Sequence, residues 1–357
     1  MTELEAMQRA IQLAWMGWGR VHPNPMVGAV IIKDGSLVAE GYHGEFGGEH
    51  AEAASLRQVS GGGARGGTMI VSLEPCSHQG KQPPCTEAII RSGITRVVTA
   101  ASDPNPIASG GADRLRAAGV VVEVGLLRDE AECQNAAFLH QFKGLRRPFV
   151  ALKLAASIDA RIADRAGSSR WISGPEAREF VHWLRAGFDA IGVGGRTARV
   201  DDAWLTVRGD ITPRVTPRRV VFTRSGEMST TSRLLTTPRD GPVIIAQLGP
   251  PALGITDHSA REGVTVLRGT DLPSLMEALW KSGISSLLVE GGGELAGVLL
   301  AAGVVDRFYW VQAPLFLGDR GIPAFQGLPA PLLGSAERWR VVERRALGQD
   351  TLLVVDH

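Results

Sequence analysis

Three residues able to bind a soft divalent metal stand in two short stretches: His50 in "GEHAEAASL", and Cys76 and Cys85 in "EPCSHQGKQPPC". One imidazole and two thiolates make a three-ligand set for Zn²⁺, leaving the fourth tetrahedral position to water, as in catalytic rather than closed structural sites. Zinc brings the pKa of such a water to about 7. Glu52, two residues after His50, is placed to take its proton and return it to a departing amine. The spacing carries a geometric condition. Residues i and i+2 do not share a helix face, so His50 must be the last residue before the helix for both side chains to enter one cleft. Cys85 precedes the helix "TEAIIRSG", whose N-terminus favours the thiolate. The competing reading is a buried histidine with two structural thiols.

The elements that must hold these residues alternate. "LEAMQRAIQLAWMGW" predicts a helix, and "MVGAVIIKDGSLVAEGYH" two strands joined at "KDG". Helix "HAEAASLRQV", strand "GGTMIVSLEPC", helix "CTEAIIRSG" closed by Gly93, strand "RVVTAAS", helix "GGADRLRAAGV" and strand "VVEVG" follow. Strands alternating with helices of this length predict a three-layer α/β unit. Basic, turn-prone "KGLRRP" marks a boundary, giving domains 1–146 and 147–357. A second α/β series runs through "FVALKLAASIDARIA", "FDAIGVG", "RRVVFT", "GPVIIAQLG", "SSLLVEGGGELAGVLLAAG" and "ALGQDTLLVVD". Cys133, in the predicted helix "AECQNAAFL", reads as core; residues 225–265 carry no usable motif.

Composition limits the function classes. Apolar residues are 44% of the 357 and charged residues 21%, with net charge +1; this is a globular balance without the basic excess that nucleic-acid or membrane-surface binding draws on. The N-terminal "MTELEAMQRAIQLA" carries early acids, unlike a signal peptide, and "LAGVLLAAGVV" is too short to span a bilayer. Three cysteines make a disulfide framework unexpected. The expectation is a cytoplasmic enzyme, with neither nucleic acid nor membrane as partner, assembled as a homodimer or higher homo-oligomer.

His-x-Glu followed by Pro-Cys and a second cysteine is the pattern of zinc nucleobase deaminases, here with the insert "SHQGKQPP" between the cysteines. Together, "HPNPMVGAVI", "GYH", "HAE", "LEPCSHQGKQPPC" and "DPNP", then "LKLAASIDARIA", "SRWISG", "LRAGFDAIGVGGRTARVDDAWLTVR" and "LVEGGGELAGVLL", resemble the bifunctional riboflavin-biosynthesis deaminase–reductase family over nearly the whole chain. The resemblance implies a cytidine-deaminase-like three-layer α/β/α domain followed by a dihydrofolate-reductase-like α/β domain. It implies one zinc ion, NADPH, and a small phosphorylated pyrimidine, 2,5-diamino-6-ribosylamino-4(3H)-pyrimidinone 5′-phosphate. Deamination at C2 and reduction of the ribosyl group would give 5-amino-6-(5-phosphoribitylamino)uracil.

By the same resemblance, Asn24 meets the ring edge, for which its amide offers donors and an acceptor; on the residues alone it could equally be a turn residue between two prolines. His43, His78, Lys81, Asp103 and Asn105 are candidates for ribose or phosphate contacts, each with a surface or capping role as the alternative. In the second domain Lys153, Asp201 and Glu290 fall nearest the reduction; Lys153 could instead be an edge-strand lysine reaching water. Ser169, Arg185, Leu205, Arg208 and Glu290 match substrate positions. Ala155, Trp171, Thr197 and Asp201 match cofactor positions, with core packing the alternative for Trp171. The turn Gly292, Gly293, Glu294, Leu295, Ala296, Gly297 and Val298 would hold the pyrophosphate. Gly291 to Ala296 fits G-x-G-x-x-A, yet Asp306 precedes the next strand instead of ending it, so an ordinary tight strand–helix turn stays open. "DDAW" replaces the family's frequent "DDP", removing no functional group. Two other functions compete: a nucleic-acid base deaminase with a docking module, and a zinc-stabilised regulatory module that senses nucleotides.

Overall fold

The computed structural model describes residues 1–59, 62–80, 82–226, 228–250, 258 and 261–357, with the backbone alone at Pro238. It divides into Met1–Gly144 and Leu145–His357. The first unit runs α1 (Glu3–Ala14), β1 (Gly28–Lys33), β2 (Ser36–Tyr42), α2 (Ala51–Arg57), β3 (Thr68–Leu73), α3 (Cys85–Ser92), β4 (Arg96–Ala101), α4 (Gly111–Ala117), β5 (Val121–Val124), α5 (Arg128–Gln134) and α6 (Ala136–His140). Its sheet has the order β2-β1-β3-β4-β5, with β1 antiparallel to both neighbours and β3, β4 and β5 parallel.

Strand alternation divides the apolar side chains between two faces. Val30, Ile32, Ile70 and Val98 pack against Met7, Ala10 and Leu13 of α1. Ala29, Ile31, Met69, Val71 and Val97 pack against Ala51 of α2, Ile89 of α3 and Leu115 of α4. Helices thus cover both faces. Local chemistry fixes the ends: Thr2 and Glu5 form a capping box on α1, and Gly93 closes α3 in the left-handed region at φ 76°. The predicted turn after β1 is a two-residue loop with Asp34 at φ 51° and Gly35 at φ 73°, the conformation that matches strand twist. One expectation changes. The helix predicted through "AECQNAAFL" breaks at Asn135, whose amide turns away to bond Met26 N–H and C=O at 2.8 and 2.9 Å; Cys133 on α5 is half-buried rather than core.

The second unit runs β6 (Phe149–Ala156), β7 (Arg161–Ala163), α7 (Pro175–Ala186), β8 (Ala190–Gly194), α8 (Gly195–Asp201), β9 (Arg218–Thr223), α9 (Arg233–Thr236), β10 (Val243–Leu248), β11 (Val264–Gly269), α10 (Leu272–Lys281), β12 (Ser286–Glu290), α11 (Gly293–Ala301), β13 (Arg307–Gln312), β14 (Ile322–Pro323), β15 (Arg340–Leu347) and β16 (Asp350–Asp356). Among the described residues the main sheet has the order β11-β10-β9-β8-β12-β6-β13-β16-β15. It is parallel from β11 to β13 and antiparallel beyond. Leu152, Leu154, Val220, Ile244 and Leu287 pack under α10 and α11; Ile191, Val193, Val221 and Ile245 face Leu234 and Leu235 of α9. β6 lies between β12 and β13, so Lys153 is interior to the sheet, not on an edge.

Candidate active sites

In the first unit the candidate residues gather where α2 and α3 begin and β3 and β4 end. His50 is the N-cap of α2, with extended φ −75° and ψ 160°, and Glu52 lies in the first turn, 3% exposed. Leaving the helix one residue earlier lets the imidazole and carboxyl converge. His50 Nδ1 is 3.5 Å from Cys76 Sγ and 3.3 Å from Cys85 Sγ, and all three donor atoms lie within 4.8 Å of one another. Such spacings are close to the edges of a tetrahedron around an ion bound at about 2.0–2.3 Å, so the donor set fits zinc.

The electrostatics point the same way. Hydrogen bonds from Cys85 and His50 pull the Cys76 thiol down to about 4. With one sulfur anionic, the hydrogen bond to Cys76 and burial push Cys85 up. A divalent cation is what allows both sulfurs to carry charge. Burial pushes Glu52 to about 7, suiting a group that must both accept and release a proton near neutrality.

Around this centre, His43 Nδ1–H donates to Glu49 C=O at 2.8 Å, which makes Nε2 the acceptor for Asn24 Nδ2–H at 3.1 Å. Burial keeps His43 below its usual pKa, preserving that neutral tautomer. The Asn24 amide therefore has a set orientation with its oxygen and second N–H left over. Asn135, which sequence reasoning missed, clamps Met26 two residues on. Asp103 accepts from Asn105 N–H at 2.9 Å, and Asn105 from Ile107 N–H at 3.1 Å; both shape the loop after β4. Glu74, also missed, holds this loop to α4 through Asp103 N–H and Ala112 N–H. His78 buries an Nδ1 with no partner among the described residues, and Lys81 lies outside them.

The second unit contains a cavity of about 1130 Å³ over the carboxyl ends of β6, β8, β9 and β12, the end of a parallel sheet where ligands bind. Lys153 and Ala155 line it together with Leu154, which also joins the core beside Leu152. Register sets Glu290 of β12 directly beside Lys153. Arg185 of α7 grips Glu290 with two hydrogen bonds, Nη2–Oε2 at 2.9 Å, and donates to Thr206 C=O at 2.7 Å. Burial alone would raise the Glu290 carboxyl, but Arg185 and Lys153 outweigh it and hold it below its ordinary value. Burial lowers Lys153. Burial, with Arg185 and Arg208 nearby, drives His182 down to about 4; its Nδ1 accepts Arg208 N–H at 3.2 Å.

Ser169, Thr197, Asp201, Leu205 and Arg208 line the same cavity, as does Trp171. Trp171 is 69% exposed with the Arg178 guanidinium 4.7 Å above its ring, which excludes core packing. Gly292, Gly293, Glu294, Leu295 and Val298 border the cavity; Ala296 is buried in the core, and Gly297 packs elsewhere. A Cβ at Gly297 would stand 1.9 Å from Gln326 O, and one at Gly293 2.5 Å from Pro323 O, so those two glycines serve close packing of α11. The N-cap of α11, Gly292, offers no side-chain cap, leaving first-turn N–H groups for an anion. Cavity size and this uncapped turn fit a dinucleotide. His182, Arg199 and Arg224 also line the cavity; sequence reasoning gave none of them a role, because their positions depend on which strand ends lie side by side.

Residues 148–353 match the family model of the RibD C-terminal domain, and residues 1–101 that of the cytidine and deoxycytidylate deaminase zinc-binding region. The chain is 39% identical to the riboflavin biosynthesis protein RibD of Escherichia coli (strain K12) over 370 residues, 97% of each chain. It is similar to the solved structure of Acinetobacter baumannii RibD, form 1, at 36% identity and TM-score 0.83, covering 99% of this chain and 98% of that one. A Thermotoga maritima structure, described as a diaminohydroxyphosphoribosylaminopyrimidine deaminase/5-amino-6-(5-phosphoribosylamino)uracil reductase, matches at 34% identity and TM-score 0.84, with 99% and 98% covered.

Proposed function

The chain belongs to the RibD family of riboflavin-biosynthesis deaminase–reductases, and from that premise we propose how its residues divide the two reactions. The protein is a zinc-dependent deaminase joined to an NADPH-dependent reductase. It exchanges the C2 amino group of the diaminopyrimidine phosphate for oxygen, then reduces the ribosyl group to ribityl.

His50 Nδ1, Cys76 Sγ and Cys85 Sγ hold zinc, which when bound supplies an acidified water. Glu52 takes a proton from the attacking oxygen and delivers it to the nitrogen that leaves as ammonia. Asn24, oriented by His43, receives the ring edge, and His78, Asp103 and Asn105 stand near the ribose phosphate. In the second unit NADPH supplies the hydride. Lys153 donates a hydrogen bond to the nitrogen of the ring-opened sugar imine, drawing charge from C1′. Glu290 keeps Lys153 charged and is itself held by Arg185. Arg208 and Ser169 take the substrate phosphate, since an arginine fork suits phosphate. Trp171, Thr197, Asp201 and the turn from Gly292 bind the cofactor.

The observation carrying this reading is the convergence of one imidazole and two thiols beside a buried carboxyl. Mass spectrometry of products from the diaminopyrimidine phosphate tests it. A deaminated species without NADPH and a ribityl product with it are expected; unchanged substrate under both conditions defeats the reading. No helix among the described residues is long and apolar enough to cross a membrane. We assign the enzyme to the cytoplasm on its cysteine usage and expect a homodimer or higher homo-oligomer, which sedimentation equilibrium would detect.

A further inference from the structure

Six arginines line the second unit's cavity, and they differ in what already engages them. Arg185 holds Glu290. Arg196 pairs with Glu294 at 3.1 Å. Arg178 donates to Ser173 C=O at 2.7 Å and covers Trp171. Arg208 follows the loop whose backbone meets His182, at the Lys153 and Glu290 end. Arg199 and Arg224 remain. Among the described residues neither has an acidic partner, and both are exposed.

Their location follows from strand order. From the reacting end the sheet runs β6, β12, β8, β9, β10. Lys153 stands on β6, Glu290 at the end of β12 with the glycine turn just beyond it, Gly194 and Gly195 at the end of β8, and Arg224 just beyond β9. Three strand spacings separate β6 from β9, about 14 Å, a span that an extended dinucleotide covers. Arg199 reaches back to the same place: its Nη1 lies 3.5 Å from the point a Cβ on Gly195 would occupy, and Thr223 Cβ is 3.5 Å from that point. The two guanidinium-bearing residues therefore flank the end of β9. Past them, Leu248 of β10 and Leu272 of α10 supply an apolar wall suited to a purine.

We propose that Arg199 and Arg224 grip the 2′-phosphate of NADPH at the adenosine end of the cavity and so set the preference for NADPH over NADH. The proposal rests on the cofactor occupying this cavity. Guanidinium groups bind phosphate dianions through charge-assisted, often bidentate hydrogen bonds. β9 ends at Thr223 and is followed by Arg224 and Ser225 where a site selecting the bare ribose diol would offer an acid. With NADH, two cations would face a hydroxyl that neutralises neither.

Calorimetric titration of the full-length protein with adenosine 2′,5′-bisphosphate and adenosine 5′-monophosphate tests binding without turnover. Wild type should favour the bisphosphate by about tenfold or more, and the R199A/R224A double variant should bind the two nucleotides alike. In parallel, kcat/KM of the double variant should fall about tenfold further for NADPH than for NADH. A folded double variant that keeps the preference, or loses both nucleotides and both cofactors equally, overturns the proposal. Wild type that binds neither nucleotide and oxidises neither cofactor removes the cofactor reading itself, and the proposal with it.

Discussion

Two side chains, Glu52 and Lys153, are ionisable groups placed where burial opposes their charge. The Glu52 carboxyl at about 7 is poised to move a proton in both directions. Glu52→Ala should keep zinc, since it removes no ligand, and slow deamination by about 10²–10⁴-fold. Elemental analysis and product mass spectrometry would check this; reduction of pre-deaminated substrate should persist. For Lys153 the sign runs the other way. Burial favours its neutral form, so the ammonium is lost as pH rises through a value below the ordinary 10.5. A reductase that needs the ammonium should lose rate along an alkaline limb with its midpoint below that value. In Lys153→Met the rate should drop by about 10²-fold or more, and the residual rate should no longer carry that limb. A wild-type rate in the variant would remove Lys153 from the mechanism.

At the scale of elements, helix starts meet loop backbones at close quarters. A Cβ on Gly111, the first residue of α4, would stand 1.8 Å from Pro75 O, next to Cys76 of the proposed zinc site. Gly111→Ala must displace one or the other, an overpacking cost of about 1–3 kcal/mol. It should lower the melting temperature and loosen zinc, read as faster loss of metal to a chelator. Gly297→Ala sets a Cβ 1.9 Å from Gln326 O and should displace α11, weakening dinucleotide binding while leaving zinc content unchanged. Asn135 illustrates why such couplings escape a linear reading. It sits in a helical pattern, yet its amide is committed to Met26, 109 positions away.

At the scale of the molecule, each unit closes its own layered core around its own sheet, so each ligand should stabilise the unit that binds it. Metal binding is folding energy for the unit holding the ligands. NADPH at a hundredfold its dissociation constant should add about 2.7 kcal/mol to the other. Scanning calorimetry should resolve two transitions, one lowered by a zinc chelator and the other raised by NADPH. A single transition moved equally by both reagents would contradict separate cores.

The sequence by itself determined the alternation of strands and helices, the residue types of the His50–Cys76–Cys85 cluster and the identity of the family. Those properties are carried by local periodicity and by residues close along the chain, as with His50 and Glu52 at the start of α2. Only the tertiary structure decided that Lys153 is interior and beside Glu290, that Arg185 is engaged by that carboxyl, and that His43 orients Asn24. It also decided that two of the turn's glycines answer to neighbouring backbone. Strand order and register set these relations, and both are settled by how whole faces pack. No short stretch of residues encodes which strand lies next to which.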